Sequence, residues 1–119
     1  QVQEFEKRTS IQTNILTDLD YIALSKESAI EVYRIMQETM TNIARHAEAS
    51  AVNITIARKD KHYAFKVVDN GKGMQADESA DSRSFGLLGM RERAERIGAV
   101  LTIVSKPGSG TTIMLEVPY

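Results

Sequence analysis

The longest helical pattern in the sequence, from about Lys26 to Ala47, is the feature that most constrains the fold. Ser25 precedes this pattern and is a candidate N-cap residue. At about 100° per residue, the small and apolar side chains of the segment fall on one face. A helix with such a face needs a second layer that covers it. The members of the face are Ala29, Val32, Tyr33, Met36, Met40, Ile43, Ala44 and Ala47.

Segments in which β-branched and aromatic residues alternate with polar ones supply that second layer. A short helix end lies in residues 1–10, and a further helix is predicted to begin at Gly86 and to end at Gly98. This order of elements predicts the α+β class, as a two-layer α/β sandwich in which helices cover one face of a mixed, mostly antiparallel sheet. The predicted strands are Ile11–Asp18, Ala51–Lys59, His62–Asp69, Ala99–Ser105 and Thr111–Pro118.

The composition excludes several classes of function. The net charge of -1 gives no reason to expect nucleic acid or direct contact with an anionic membrane. Cysteine is absent, which excludes disulfide scaffolds, thiolate zinc sites and cysteine nucleophiles. No apolar run approaches the roughly 20 residues of a membrane helix. Because the chain opens at Gln1 rather than at methionine, residues 1–119 are interpreted as a single domain cut from a longer protein.

The stretch VVDNGKGM, residues 67–74, contains the dipeptide Asn70-Gly71, which is ordinarily a strong hairpin signal. A hairpin requires a partner strand directly after Gly71, but residues 72–79 read KGMQADES and could not bury anything. Residues 72–84 are therefore predicted to form a mobile loop, poorly ordered over 75–84 without a ligand. What remains is Asp69, a carboxylate at the end of a buried strand, which needs a hydrogen-bonding partner such as a ligand amino group.

The long helix carries a polar set on the face opposite its apolar stripe. Glu38 and Asn42 lie one turn apart, and Arg45 and His46 follow one turn later. Alone, this pattern is typical of ordinary solvated surface. An acid, a neutral oxygen ligand and two potential cations are also the groups that could hold a divalent metal on a polyphosphate and manage a proton.

A third candidate element is SFGLLGMRER, residues 84–93. Its glycines, Gly86 and Gly89, are predicted to flank a helix start, where free N–H groups and the helix dipole attract anions. The alternative is an ordinary glycine-softened junction between a loop and a helix. Arg91 and Arg93 could reach a phosphate there or remain solvated.

Together these segments resemble the ATP-binding catalytic domain of sensor histidine kinases, in the ATPase group that also includes type II topoisomerase subunits and heat-shock chaperones. QETMTNIARHA resembles the N box, and DNGKGM, FGLLGM and GSGTT resemble the three glycine boxes, in that order along the chain. NIARHAEAS and GLLGMRERAERIGAVL are most similar to the subfamily that partners helix-turn-helix response regulators. The resemblance implies the Bergerat fold, with ATP and Mg²⁺ as cofactors.

The resemblance also implies residue roles. Asp69 would accept a hydrogen bond from the adenine amino group, and Asn42 would bind Mg²⁺ through its side-chain oxygen. Glu38 would act as a base that assists the phosphoacceptor or orients a water molecule. The remaining implied nucleotide contacts are Arg45, His46, Gly71, Gly73, Met74, Gly86, Leu87, Gly89, Thr111 and Thr112. For Thr112 the favoured interpretation is an ordinary sheet residue, with a role in the site as the alternative.

The implied function is transfer of the γ-phosphoryl group of ATP to a histidine on a separate dimerisation and phosphoacceptor domain, and through it to a response regulator. The chain's own histidines are His46, in the N box, and His62, which is interpreted as an exposed strand-end residue. We therefore expect residues 1–119 to be a monomeric, cytoplasmic fragment of a homodimeric parent protein, which could be anchored to a membrane. Alternatives are a serine kinase or ATPase of the same fold, and a non-catalytic nucleotide-sensing module. The intact boxes favour catalysis.

Overall fold

A computed structural model of the chain describes residues 2–73 and 82–119. The chain order of elements is helix, strand, helix, two strands, helix and two strands, which agrees with the predicted order. The bounds are α1 Val2–Thr9, β1 Gln12–Thr17, α2 Lys26–Asn42 with a π-helical turn Ile43–Ala47, β2 Ala51–Arg58, β3 His62–Asp69, α3 Ser82–Arg96, β4 Val100–Ser105 and β5 Thr111–Pro118.

The strands form one five-stranded sheet in the order β1-β2-β3-β5-β4. β1 pairs with β2 in parallel, and the other neighbouring strands pair antiparallel. The chain leaves β3 through α3 and returns by way of β4, so β5 is inserted beside β3. The predicted class, a mixed and mostly antiparallel sheet beneath helices, is confirmed.

The main core lies between the sheet and the helices α2 and α3. Alternate residues of β3 and β5 point toward the helices, because successive side chains of a strand point to opposite faces. Ile35 and Leu115 are 0% and 1% exposed, which places them at the centre of this layer. The buried members are Val32, Ile35, Tyr63, Phe65, Met90, Ala94, Ile113, Leu115 and Val117.

A second cluster holds α1 against the start of the sheet. Phe5 of α1 and Ile11 pack with Val52 and Ile54 of β2, and the π-helical turn contributes Ile43 and Ala47. The Glu6 carboxylate also accepts a hydrogen bond from the Thr13 N–H at 2.9 Å. The start of β1 is therefore fixed by α1 as well as by its pairing with β2.

The start of α2 is as predicted, but its buried face differs. Ser25 caps the helix, since its Oγ accepts a hydrogen bond from the Ser28 N–H at 3.1 Å. Among the predicted members of the apolar stripe, Ala29, Tyr33 and Ala44 are exposed, so this part of the prediction is wrong. The reason is that α2 contacts α3 as well as the sheet, which turns its buried face toward α3. The buried residues of α2 are Val32, Ile35, Thr39 and Asn42.

The predicted start of the following helix is also wrong. α3 begins at Ser82 rather than at Gly86, so Gly86 and Gly89 lie inside the helix. A glycine inside a helix costs up to about 1 kcal/mol relative to alanine. Burial of Met90 and Ala94 in the core offsets that cost. Of the predicted mobile loop, residues 74–81 lie outside the described residues, and 82–84 belong to α3.

His62 is half-buried rather than fully exposed at the start of β3. Its Nε2 lies 3.0 Å from a carboxylate oxygen of Glu116, on the neighbouring strand β5. The side chain therefore has a structural partner. None of the described helices is long and apolar enough to cross a bilayer.

Truncation of the core should cost far more than the same truncation on the surface. We expect Leu115→Ala to lower the free energy of unfolding by about 2–5 kcal/mol, because it leaves a cavity in a 1% exposed position. The matched control is Leu16→Ala, at a 73% exposed position of β1, which should change stability by about 0.5 kcal/mol or less. Urea denaturation followed by circular dichroism measures both. Similar losses for the two variants would contradict the assigned core.

Candidate functional site

A small cavity lies where the end of β3 meets α2, β5 and α3. Its volume is about 20 Å³, enough for a single water molecule but far too small for an aromatic ring system. A larger ligand does not fit this volume unless some of the lining residues, which include Leu87 of α3, move apart. The lining residues are Thr39, Asn42, Ile43, Ala47, Asp69, Leu87, Thr111 and Ile113.

Asp69 is buried at the end of β3, as its sequence context predicts, with 5% of its surface exposed. Its Oδ1 accepts a hydrogen bond from the Gly71 N–H at 2.8 Å. In the sheet it lies between Val52 of β2 and Thr111 of β5. The strand end thus holds a carboxylate at a fixed place beside the cavity.

Asn42 lines the same cavity and is 9% exposed. Its side-chain amide makes no hydrogen bond to any residue within 2–73 or 82–119. A buried polar group without a partner typically costs about 1–3 kcal/mol. The cavity therefore combines a held carboxylate with an amide that has no hydrogen-bonding partner among the described residues, and such a pair is typical of a binding site.

Two threonines complete the polar lining. Thr39 donates its hydroxyl to the Ile35 carbonyl at 2.9 Å, and the Thr111 hydroxyl lies 2.8 Å from that of Ser105. Thr39 and Ser105 were not identified from the sequence, although Thr39 precedes Asn42 by three residues and so shares its helix face. Thr112 lies on the opposite face of β5, because strand side chains alternate. Its predicted role in the site is not supported.

Gly71 and Gly73, which follow Asp69, allow other parts of the backbone to approach them closely. A Cβ on Gly71 would collide with the Ala47 carbonyl, and one on Gly73, whose φ is 71°, would collide with the Lys106 carbonyl. Gly71 and Gly73, which the resemblance implied as nucleotide contacts, therefore lie against other backbone segments of the chain. Met74 lies outside the described residues.

Glu38 lies beside a second, larger groove rather than in the small cavity. This groove, of about 320 Å³, separates α2 from the middle of α3. Gly86 faces Glu38 closely, since a Cβ there would stand 2.6 Å from Oε2 of the carboxylate. Glu38 and Asn42 therefore open onto adjoining spaces. The groove is lined by Arg34, Gln37, Glu38, Thr41, Gly86, Gly89, Met90 and Arg93.

The remaining predicted phosphate contacts lie apart from the small cavity. Arg45 is exposed and His46 is half-buried on the π-helical turn, and neither lines the cavity. Arg91 is exposed on α3. Since α3 begins at Ser82, the amides that lack helical partners lie ahead of Gly86 and not at Gly86 and Gly89.

Arg93 joins the two helices. Its guanidinium donates to Glu31 of α2 at 3.0 Å, and Arg96 reaches the other carboxylate oxygen at 3.4 Å. The hydrogen bond from Arg93, against a smaller opposing effect of burial, holds the pKa of Glu31 below its usual value, and Arg96 adds to this. The carboxylate is therefore charged at neutral pH and fixes the end of α3 to α2.

The described residues contain no group of three or more His, Asp or Glu side chains that could hold a metal ion by themselves. Asn42 offers one neutral oxygen. Mg²⁺ usually keeps several water molecules and binds through one or two protein groups together with substrate phosphates. The residues present fit Mg²⁺ only as a metal that arrives on a phosphate chain.

Comparison with known proteins finds a family model that matches most of the chain. The family described as histidine kinase-, DNA gyrase B- and HSP90-like ATPase matches residues 27–119. The sensor histidine kinase LiaS of Bacillus subtilis (strain 168) is 39% identical over 117 residues, which cover 98% of this chain and 32% of that protein. The sensor protein VraS of Staphylococcus aureus (strain COL) is 42% identical over 87 residues, or 73% of this chain and 25% of that protein.

Solved structures share the fold at low sequence identity. The Erythrobacter litoralis EL346 blue-light activated histidine kinase matches with a TM-score of 0.80 at 20% identity, over 98% of this chain and 39% of that one. A mycobacterial sensor histidine kinase, MprB, matches with a TM-score of 0.75 at 16% identity, over 98% of this chain and 87% of that one. The chain spans about a quarter to a third of the length of the sensor-protein relatives.

Replacement of each of the two glycines of α3 by alanine should distinguish the effect of side-chain packing on stability from the effect of helix propensity. A Cβ on Gly89 meets nothing within 4 Å, so Gly89→Ala should raise the free energy of unfolding by about 0.5–1 kcal/mol. At Gly86 the new methyl group would displace the Glu38 carboxylate, so Gly86→Ala should gain less or lose stability. Thermal and urea denaturation of both variants measures this. An equal gain at the two positions would show that Gly86 is not held against Glu38.

Proposed function

The chain belongs to the family of histidine kinase-, DNA gyrase B- and HSP90-like ATPases, and we propose that residues 1–119 form the ATP-binding catalytic domain of a sensor histidine kinase. The domain would bind Mg²⁺-ATP and donate its γ-phosphoryl group to a histidine on a separate dimerisation and phosphoacceptor domain. The supporting observation is the cavity that holds the buried carboxylate of Asp69 beside the amide of Asn42, which has no hydrogen bond within the described part of the chain.

Asp69 supplies base recognition. One carboxylate oxygen is fixed by the Gly71 N–H, so the side chain cannot turn away from the cavity without losing that bond. A carboxylate only accepts hydrogen bonds at neutral pH, and adenine presents an amino group where guanine presents an oxygen. Asp69 therefore selects adenine. The Thr111 hydroxyl, directly across from Asp69 in the sheet, completes the polar edge.

Asn42 supplies the phosphate end of the site. When bound, Mg²⁺ neutralises charge on the phosphate oxygens and aligns the γ-phosphoryl group for in-line transfer. The side-chain oxygen of Asn42 would be one ligand for that metal, since the amide makes no hydrogen bond to a described residue. The helix α2 orients this oxygen, and burial keeps bulk water away from it.

Glu38 lies one turn before Asn42, on the wall of the groove between α2 and α3. From there its carboxylate can accept the proton of an approaching acceptor group or orient a water molecule. Separate spaces for Glu38 and Asn42 suit a reaction in which the nucleotide enters from one side and the acceptor from the other.

We infer that entry of ATP requires movement of residues that line the cavity. The cavity holds about 20 Å³, and Leu87 of α3 is part of its lining. The end of α3 is anchored by buried Met90 and Ala94 and by the ion pairs to Glu31. Displacement is therefore easier for the part of α3 ahead of Gly89, which carries Leu87.

The partners follow from the same chemistry. His62 is paired with Glu116 and His46 sits on a half-buried turn, so neither is placed as an acceptor. The acceptor histidine would belong to a dimerisation domain of the same protein, with a response regulator as the next recipient. The domain would act on the cytoplasmic side, and the isolated chain would turn ATP over slowly.

Asp69→Asn should weaken ATP binding by about tenfold or more, because a lost hydrogen bond to a charged group is worth roughly 1.5–3 kcal/mol. The amide oxygen can still accept from the Gly71 N–H, which would leave an NH₂ group facing the adenine amino group. Calorimetric titration with a non-hydrolysable ATP analogue measures the loss. Asp60→Asn, in the exposed β2–β3 turn, is the matched control. Unchanged affinity in Asp69→Asn would remove Asp69 from the site.

Asn42→Ala should reduce affinity for the ATP analogue more strongly with Mg²⁺ than with EDTA, since the amide oxygen acts through the metal. Stability should be kept or should rise, because the lost amide has no hydrogen bond to a described residue. Asn14→Ala, on the exposed strand β1, serves as control. Equal losses of affinity with and without the metal would indicate that Asn42 only maintains the fold.

A further inference from the structure

Asn70, the residue after Asp69, points away from the cavity and is exposed, yet its side chain is bound at three places. Its Oδ1 accepts from the N–H groups of Ser50 and Ala51, each at 3.0 Å. Its Nδ2 donates to the Ser50 hydroxyl oxygen at 2.9 Å. Both ends of this amide are thus used by the segment that leads into β2.

The surrounding backbone strengthens the same connection. The Asn70 N–H donates to the Ala51 carbonyl at 3.3 Å, and the Lys72 N–H donates to the Ala47 carbonyl at 2.7 Å. The Ser50 carbonyl in turn accepts from the Gln12 N–H of β1 at 2.9 Å. Residues 70–72 are therefore tied to residues 47–51, and through them to the first strand.

These hydrogen bonds lie on the side of the cavity next to Asp69, where the base would bind. Asp69 directly precedes the tied segment, and Ala47, at the end of the π-helical turn, lines the cavity beside it. The spacing between Asp69 and that turn sets where a ring bound to the carboxylate would lie. Asn70 contributes three of the bonds that fix this spacing.

We propose that Asn70 is a positioning residue for base recognition, which acts by tying the end of β3 to the Ser50–Ala51 segment so that the Asp69 carboxylate meets the amino group of adenine. This inference rests on the proposed function. Asn70 itself does not touch the nucleotide. Its effect on binding passes through Asp69.

Substitutions at Asn70 and Ser50 remove different numbers of the three side-chain hydrogen bonds of Asn70. Asn70→Ala removes all three side-chain bonds. Asn70→Asp keeps an acceptor for the two N–H groups, and the Ser50 hydroxyl can rotate to donate to the second oxygen. Ser50→Ala removes only the bond between the two side chains. Asn53→Ala, on β2, is the matched control, because it removes the bond from Asn14 at 3.1 Å outside the cavity lining.

The test compares ATP with ITP, whose base carries an oxygen in place of the amino group, by calorimetric titration of the folded variants. The wild type and Asn53→Ala should prefer ATP. Asn70→Ala should lose about tenfold in affinity for ATP and little for ITP, because one well-placed hydrogen bond is worth about that factor. Asn70→Asp should keep most of the preference for ATP over ITP, and Ser50→Ala should lose only part of that preference.

The outcomes separate the two proposals. A wild type that does not bind ATP, or does not prefer it over ITP, defeats the proposed function itself. If the wild type prefers ATP, then Asn70→Ala with unchanged preference, or with equal losses for both nucleotides, overturns the positioning role. Should Asn70→Ala fail to fold, the comparison of Asn70→Asp with Ser50→Ala decides. Loss of the preference in Asn70→Asp then overturns the proposal.

Discussion

The carbonyl of Ala47 is the contact on which the geometry of the site depends. It accepts the Lys72 N–H at 2.7 Å, and Gly71 lies against it so closely that any side chain there would collide. The end of α2 and the chain that leaves β3 therefore meet without side chains between them. Because of this contact, Asn42 on the helix and Asp69 on the strand border one cavity, although 27 positions separate them along the chain.

Much of the fold can be predicted from the sequence because local chemistry determines it. The cap at Ser25, the strand that ends at Asp69 and the failed hairpin at Asn70-Gly71 all follow from neighbouring residues. Asp69 can be predicted as a candidate from its surroundings, because a carboxylate is unusual at the end of a buried strand. Asn42 could not be predicted in this way, since a polar helix face alone is typical of solvated surface, and its candidate role comes from the resemblance to the N box.

What could not be predicted depends on contacts between distant segments. Periodicity places Ala29 and Tyr33 on an apolar face, but only the packing of α3 determines which side of α2 is buried. Glycine suggests a helix start at Gly86, whereas the helix begins at Ser82 and includes that glycine, which leaves no room for a Cβ beside the Glu38 carboxylate. The partners of Asn70 lie at Ser50 and Ala51, about 20 positions away, and an Asn-Gly dipeptide gives no indication of them.

The small cavity and the Asn42 amide, which has no partner among the residues that the structure describes, together imply a domain whose free form is less stable than it could be. Burial of Asn42 without a hydrogen-bonding partner among the described residues costs about 1–3 kcal/mol, and Leu87, which packs against the apolar core, also borders the polar lining of the cavity. A ligand that supplies a partner for Asn42 and displaces Leu87 gains interactions that the free chain lacks. Binding to the folded state alone then raises stability with ligand concentration. The ion pairs of Glu31 with Arg93 and Arg96 hold the end of α3 to α2, so under the proposed function the accompanying movement would be easier in the part of the helix ahead of Gly89.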